Sequence, residues 1–320
     1  MWQNKFITLA ALIGVASSVS AFAPHAAAPA ASRRGTAILT AATTDYPSTL
    51  TSEPTLALVA PGKCQFTDEF ASAKLLKRWK ISETSSVLRF ALPDESSPLN
   101  LATCACILAK ADLPDRDGTI EAVIRPYTPI STNAQIGSFD MLIKDYGENG
   151  RLSTHLCSLE EGDEISFKHI DANVKIQAPF DFKKVCMLVG GTGITPMTQV
   201  LHAVLGDPTS TAEAVVLYGS RTSDDILGKD LLDSWDSSDR LSVTHVLSNE
   251  PEESDWKGAR GFVNKDLIQK NFPPPSDKES IIFVCGPPPM YEALCGPRLD
   301  KEVSGLLGEM GYSEDQVFKF

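Results

Sequence analysis

The sequence lacks the residue patterns that bind structural metal ions, build disulfide scaffolds or attract nucleic acid. Its seven cysteines contain no Cys-x-x-Cys pair, and no two of its five histidines lie four residues apart. We therefore expect no protein-bound metal, and free thiols in a reducing compartment. Lys and Arg number 29 against 41 Asp and Glu, and this net charge of −12 makes binding to a phosphate backbone unfavourable.

The chain also lacks an apolar run long enough to span a bilayer comfortably. The run at 6–16 follows Lys5 and leads into small residues at 17–21, as in a secretory signal peptide. A membrane anchor or a buried helix is the alternative. No acidic residue precedes Asp45, and the stretch 19–24, Val-Ser-Ala-Phe-Ala-Pro, resembles the signal-to-transit junction of plastid precursors in algae whose plastids lie inside extra membranes.

We therefore predict that residues 1–44 are a signal and transit segment, with the plastid of a complex alga as destination and another endomembrane compartment as the alternative. Loss of this segment removes three basic residues and leaves 26 basic and 41 acidic ones, a net charge of −15. We expect the mature chain to contain no transmembrane segment.

Beyond a linker at 45–61, the sequence pattern changes near residue 180. From 62 to 180, short β-branched and apolar segments separated by turn residues are typical of an antiparallel barrel or sandwich. The predicted strands are Trp79–Ile81, Ser86–Phe90, Ala105–Ala109, Ile120–Ile124, Phe139–Ile143, Glu164–Phe167 and Val174–Ile176. From 181 to 320, short apolar strands alternate with helices, which indicates a doubly wound parallel α/β sheet. Its predicted elements are Val185–Val189, a helix at 196–206, Ala214–Tyr218, a helix at 224–234, Leu241–Leu247, Ile281–Cys285 and a helix near 290–296.

A glycine-rich turn, Gly190-Gly191-Thr192-Gly193-Ile194-Thr195-Pro196, lies where a predicted strand ends and a helix begins. Glycines let a ligand approach the backbone, and the free amides of a helix start favour phosphate. We predict Thr195 as the helix N-cap and Pro196 as its first residue. The turn is an imperfect dinucleotide fingerprint because Pro196 replaces its last glycine, so an ordinary strand-to-helix turn is the alternative.

Three further segments carry chemistry-bearing residues. Arg125-Pro126-Tyr127-Thr128 offers a guanidinium for phosphate, a flat ring and a hydroxyl, as a flavin nucleotide requires; a proline-rich turn is the alternative. Gly150-Arg151-Leu152-Ser153 precedes a short predicted helix ending near Leu159 and would present amides to a second phosphate, unless it is an ordinary helix cap. Cys285-Gly286-Pro287-Pro288-Pro289-Met290 follows a buried strand at the sheet edge where ligands bind, although a cysteine there is more often inert core.

In this order, and with Phe320 at the end, these four motifs resemble the NADH–cytochrome b5 reductase branch of the ferredoxin reductase-like flavoenzymes. The resemblance covers about residues 62–320. It implies an antiparallel FAD-binding β-barrel over 62–180, followed by a doubly wound parallel α/β nicotinamide-binding domain over 181–320, with the flavin between them. It also implies an oxidoreductase in which NADH reduces FAD, and FAD then passes single electrons to a haem protein such as cytochrome b5.

The same resemblance assigns roles to individual residues. Arg125 would grip the FAD phosphates, Tyr127 would lie against the isoalloxazine, and Thr128 would act catalytically near its reactive nitrogen. Lys144 would lie near the cofactors. Gly150, Arg151, Leu152 and Ser153 would hold the flavin pyrophosphate, while Gly191, Thr192, Gly193 and Thr195 would contact the NADH pyrophosphate and nicotinamide. Cys285 would act catalytically at the nicotinamide ring, beside Gly286, Pro287 and Met290.

The sequence leaves alternatives for the electron donor and for the electron acceptor. Asp225 matches the family acid that bonds the ribose hydroxyls and repels a 2′-phosphate, which favours NADH, although Arg221 would accommodate NADPH. Lys74, Lys77, Arg78 and Lys80 form a basic cluster that would suit an acidic acceptor, or a solvated surface. A ferredoxin–NADP reductase-like enzyme, a nitrate-reductase-type component and a non-enzymatic nucleotide-binding factor are the alternatives. We expect a monomer.

Overall fold

A computed structural model describes residues 46–60, 63–170 and 178–320. The predictions for residues 1–44 and for a strand at Val174–Ile176 lie outside these ranges. The residues from Pro47 to Phe320 form one unit. Within the described ranges, no helix combines the length and the apolar character needed to cross a membrane.

The first half of this unit is an antiparallel half-barrel, in agreement with the prediction from strand spacing. Its strands are β1 (Ala71–Ser82), β2 (Ser85–Ala91), β3 (Ile107–Pro114), β4 (Ile120–Tyr127), β5 (Ser138–Lys144) and β6 (Glu164–Lys168), in the sheet order β4-β3-β6-β1-β2-β5. A short helix, α1 (Leu152–Ser158), precedes β6. Alternating residues of these strands face a core built around four phenylalanines, Phe66, Phe90, Phe139 and Phe167, whose interacting rings lie 5.0 to 5.8 Å apart.

The second half is a parallel sheet with helices, as the alternation of strands and helices predicted. It contains β7 (Lys184–Gly190), α2 (Ile194–Leu205), β8 (Glu213–Ser220), α3 (Lys229–Trp235), β9 (Leu241–Leu247), β10 (Ala259–Arg260), α4 (Lys265–Asn271), β11 (Ser280–Cys285), α5 (Pro288–Cys295), α6 (Gly305–Met310) and β12 (Val317–Lys319). The strand order is β10-β9-β8-β7-β11-β12, so the chain reverses direction across the sheet between β7 and β11. The central strands β7 and β8 are apolar and buried except near their ends, as expected where helices cover both faces of a sheet.

The helix predicted at 224–234 begins five residues later than predicted. Residues 223–225 form a single 3₁₀ turn, and Gly228 then adopts a left-handed conformation with φ +66° before α3 starts at Lys229. Ile226 is extended, with ψ 103°, and a left-handed residue such as Gly228 cannot continue a right-handed helix, so only the part of the predicted helix after Gly228 forms α3. The structure also contains four elements that the sequence pattern does not predict, α4, α6, β10 and β12.

An apolar cluster joins the two halves. It contains Val87 and Leu142 from the antiparallel sheet together with Val189 from the centre of the parallel sheet, all less than 4 % exposed. Leu50, which precedes the first strand, is fully buried in the same cluster. The two domains therefore share this cluster in addition to buried clusters of their own, and Leu142 and Val189 of the shared cluster also line the cleft described below.

Candidate active site

One cleft of about 1140 Å³ collects every residue predicted to bind a cofactor. The antiparallel domain lines it with the end of β4, the end of β5 and the start of α1. The parallel domain lines it with the residues that follow β7, β8 and β11. The guanidinium motif at 125 and the glycine turn at 191–193 thus open onto the same cavity rather than onto different sides of the molecule.

The parallel domain forms its wall at the point where the strand order reverses. The turn after β7 meets the turn after β11 so closely that a side chain at Gly193 would overlap the carbonyl group of Cys285. Gly190 packs in the same way against Pro287 and Met290. Gly191 has φ +52° and nothing within 4 Å of the position of a Cβ, so its backbone faces open space. This is the place where open α/β sheets bind a dinucleotide.

The prediction that Thr195 is the N-cap of this helix is wrong. The 3₁₀ turn at Gly191–Gly193 runs directly into α2, which starts at Ile194, so Thr195 is already the second helical residue. Its hydroxyl donates to the Thr192 carbonyl at 3.2 Å. Pro196, predicted as the first helical residue, is the third, and it is tolerated in this first turn because the amides there have no partner within the helix.

The antiparallel domain presents Arg125 and Tyr127 at the end of β4. The Arg125 guanidinium donates only to the neighbouring Ile124 carbonyl at 2.8 Å, and no carboxylate pairs with it in the described part of the chain. Tyr127 is partly buried beside the cleft. This burial raises the pKa of its phenol, so the hydroxyl is neutral. An unpaired cation next to a flat apolar ring suits a ligand with both a phosphate and an aromatic system.

Arg151 has partners that sequence reasoning did not anticipate. Its guanidinium forms a close ion pair with Glu121, lies 3.8 Å from Asp115, and donates to the Pro114 carbonyl at 3.2 Å. These groups belong to the β3–β4 hairpin. Arg151 therefore ties that hairpin to the start of α1, and its charge is already balanced by two carboxylates.

An ion pair between Lys144 and Asp225 crosses the cleft. The Lys144 ammonium lies 2.7 Å from the Asp225 carboxylate, and both side chains are less than one-fifth exposed. The Thr84 hydroxyl contacts the same carboxylate oxygen at 3.4 Å. The residue predicted to bond the donor's ribose is thus held by the opposite domain in this structure.

Several cleft residues escaped the sequence analysis. The Tyr146 hydroxyl lies 3.4 Å from that of Thr192 and bridges the two walls, and Phe262 is 79 % exposed at the rim. Cys106 and Arg298 also line the cavity. Tyr146 occurs in a stretch that signalled only a turn, and Phe262 stands alone beside a glycine, so neither had a pattern to mark it. Phe320 reaches the cleft but is only 3 % exposed because it packs edge-on against Phe283 and Phe318.

The residues present fit a flavin nucleotide and a nicotinamide dinucleotide. The antiparallel wall has the guanidinium of Arg125 and the ring of Tyr127, and the parallel wall has the open backbone at Gly191. A cavity near 1140 Å³ slightly exceeds the range of about 300–1,000 Å³ usual for one small-molecule site, as a cleft for two nucleotides should.

Comparisons with known proteins agree with this geometry. The Oxidoreductase FAD-binding domain family matches residues 72–175, and the Oxidoreductase NAD-binding domain family matches residues 187–296. An NADH-cytochrome b5 reductase 2 from Scheffersomyces stipitis is 37 % identical over 79 % of this chain and 84 % of its own length. An NADH-cytochrome b5 reductase-like protein from Arabidopsis thaliana is 37 % identical over 79 % and 77 %, respectively.

A solved structure supports the same assignment. The cytochrome b5 reductase domain of Ulva prolifera nitrate reductase superimposes with a TM-score of 0.68 and 28 % identity, covering 83 % of this chain and all of that one. The order of the two sheets, the cleft between them and the extent of the similarity lead to one conclusion. This chain belongs to the NADH–cytochrome b5 reductase family, and is an oxidoreductase that uses FAD and NADH.

Proposed function

We propose that this protein oxidises NADH through FAD and passes the electrons to a cytochrome b5-like haem protein. The observation that carries the proposal is the shared cleft: the guanidinium of Arg125, which pairs with no carboxylate of the described residues, and the open backbone at Gly191 face one cavity. The chemistry itself, acceptance of a hydride from NADH and release of single electrons, is what FAD would supply when bound there.

In this proposal the chain binds, orients and shields. Arg125 anchors the flavin phosphates by charge-assisted hydrogen bonds, while Tyr127 and Thr128 line the place of the ring system. Gly191 and Gly193 allow the dinucleotide backbone to approach the main chain, and Cys285 borders the nicotinamide. Leu142 and Val189 of the shared apolar cluster line the cleft and would help to exclude water from the place where the two nucleotides meet.

We assign the donor preference to Asp225. A carboxylate at this position accepts hydrogen bonds from ribose hydroxyls and repels a 2′-phosphate. Arg221 also lines the cleft and is exposed, so its guanidinium could pair with the 2′-phosphate of NADPH. NADH is the preferred donor in this proposal because the acid lines the cleft, where it is 18 % exposed and a 2′-phosphate would have to approach it.

For the acceptor we propose docking at the basic cluster of β1. Lys74, Arg78 and Lys80 are exposed, whereas Lys77 lies 5.4 Å from the Trp79 ring. On a chain of net charge −12, such a cluster attracts an acidic partner more strongly than the rest of the surface does. A nitrate-reductase-type role, in which electrons pass to another enzyme, is the second candidate because of the similarity to the Ulva prolifera domain.

The deciding experiment is steady-state reduction of ferricyanide, cytochrome b5 and ferredoxin by the mature protein, with NADH and with NADPH. We expect a yellow protein that is fastest with NADH and that reduces cytochrome b5 with a rate falling as salt rises. Reversal of Lys74 and Lys80 to Glu should raise the KM for cytochrome b5 and leave ferricyanide reduction unchanged. Preference for NADPH and ferredoxin would contradict the proposal, and a protein that cannot hold FAD would point to the non-enzymatic alternative.

We also propose that residues 1–44 deliver the protein to a complex plastid. The support is the acid-free sequence and its junction at 19–24. A fluorescent protein fused behind residues 1–44 should enter the plastid of an alga with extra plastid membranes, whereas a fusion with Phe22 changed to Ala should be retained outside it. Accumulation of the first fusion in another endomembrane compartment would contradict the assignment.

We propose that the mature chain is a monomer. Light scattering of the mature protein at micromolar concentration gives its molar mass in solution, and the mass of a dimer would contradict the proposal.

A further inference from the structure

A segment of 14 residues, Pro47–Ala60, lies across both domains before the first strand begins; we call it the strap. It contacts the antiparallel domain at two points. The Thr49 hydroxyl donates to Asp140 at 2.8 Å, and the Asn133 side chain donates to the Ala57 carbonyl at 3.1 Å. Asp140 is completely buried and is held by Arg89 through two hydrogen bonds of 2.7 Å, so Thr49 is tied to a fixed point.

The strap contacts the parallel domain at points between these two. The Trp235 indole donates to the Ser52 carbonyl at 2.8 Å, and the Thr55 amide donates to Nδ1 of His202 at 3.0 Å. A Cβ on Gly206 would lie 2.5 Å from the Leu56 nitrogen, so only glycine lets the strap pass there. Along the chain, the anchors alternate from antiparallel to parallel domain and back.

Leu50 adds an apolar anchor. Its side chain is fully buried in the cluster that the two domains share, whereas Leu58 of the same strap is 41 % exposed. Movement of one domain against the other would have to displace Leu50 and stretch at least two of the four hydrogen bonds. Such a segment resists rotation of the domains as well as covering them.

We propose that the strap is a positioning element, which holds the two domains at the separation and angle that hydride transfer between their ligands requires. This inference rests on the proposed function. Hydride transfer needs the donor and acceptor atoms about 3–3.5 Å apart, and a displacement near 1 Å costs about a hundredfold in rate. The strap has no residue in the cleft, so it would act only through the orientation of the domains.

The test compares full-length Leu50→Ala with its matched control Leu58→Ala, both saturated with FAD. Each is mixed anaerobically with saturating NADH, and bleaching of the flavin absorbance is followed by stopped flow. We expect Leu50→Ala to keep its FAD and to be reduced about tenfold more slowly, because its domains are held less firmly. Leu58→Ala should be reduced at the wild-type rate.

A second variant, Thr49→Val, keeps the shape of the side chain and removes its hydrogen bond to Asp140, so it decides the question if Leu50→Ala does not fold. We expect it to slow flavin reduction several-fold at an unchanged Kd for NADH. Wild-type reduction rates in folded, flavin-replete Leu50→Ala or Thr49→Val, with only the melting temperature lowered, would overturn the positioning role alone. A wild-type protein whose flavin NADH does not reduce would overturn the proposed function, and the strap's role with it.

Discussion

Acidification should destabilise this protein through one buried histidine, His202 of α2. Burial lowers the pKa of this imidazole to about 4, from an ordinary value of 6.5, and its Nδ1 accepts the hydrogen bond from the Thr55 amide. Between these two pH values the unfolded chain binds a proton that the folded chain refuses. Stability from this group is therefore complete above pH 6.5 and is lost as the pH falls towards 4.

The size of the effect follows from the shift. Each pKa unit corresponds to about 1.4 kcal/mol, so the free energy of unfolding should fall by about 2 kcal/mol between about pH 7 and about pH 4.5 because of His202 alone. Burial also lowers the pKa of His245, and carboxylates contribute to acid unfolding as well. Wild type alone therefore cannot isolate the His202 contribution.

His202→Asn supplies the matched comparison, because its amide oxygen takes the place of Nδ1 as an acceptor and does not titrate. Urea unfolding of both proteins, followed by tryptophan fluorescence at the two pH values, gives the difference directly. We expect the variant to lose about 2 kcal/mol less than wild type on acidification, whatever its stability at pH 7. Equal losses would refute the assignment of a neutral, buried His202 beneath the strap.

Three further predictions concern the cleft. Arg125→Ala should weaken FAD binding at least about tenfold because it removes charge-assisted hydrogen bonds, while Arg116→Ala, on an exposed turn, should not; a flavin titration measures both, and equal affinities would remove Arg125 from the site. Asp225→Thr should reduce the NADH-over-NADPH ratio of kcat/KM by about tenfold, with the exposed neighbour Asp224→Thr as control, and unchanged selectivity would count against the ribose assignment. Gly193→Ala should lower the stability by about 1–3 kcal/mol and raise the KM for NADH, because the added methyl group overlaps the carbonyl at the end of β11; a thermally normal variant would show that this turn can move aside.

Much of the fold could be predicted from the sequence because the strands and helices produce local patterns of apolar residues, and glycine or proline marks where those patterns end. The apolar run before Gly190 and the one before Cys285 each mark a buried strand, and the glycine or proline that follows each marks a loop. Strand ends of a parallel sheet share one edge, so two such loops were expected to meet, and they do. The prediction that Thr195 is the N-cap was wrong because the 3₁₀ turn continues directly into α2, and no residue in the sequence marks the boundary between them.

Features that depend on distant residues could not be predicted in this way. Lys144 and Asp225 lie 81 positions apart, and nothing in either segment names its partner. The strap contacts residues up to 183 positions away and has no periodic pattern, so its sequence indicates only a linker. Helix α4 is different, since Asn264 accepts a hydrogen bond from the Leu267 amide as an N-cap, a signal that was present in the sequence and was overlooked.

The bridge from Lys144 to Asp225 has a consequence for turnover. A donor nucleotide that needs this carboxylate finds it already engaged, so its arrival exchanges one polar contact for another instead of adding one. The net affinity of the protein for the donor is then lower than the number of contacts in the complex implies, and its affinity for the oxidised nucleotide is lowered by the same amount. In the proposed function, re-formation of the bridge after oxidation would favour release of the oxidised nucleotide and would return Asp225 to the state that the next donor meets.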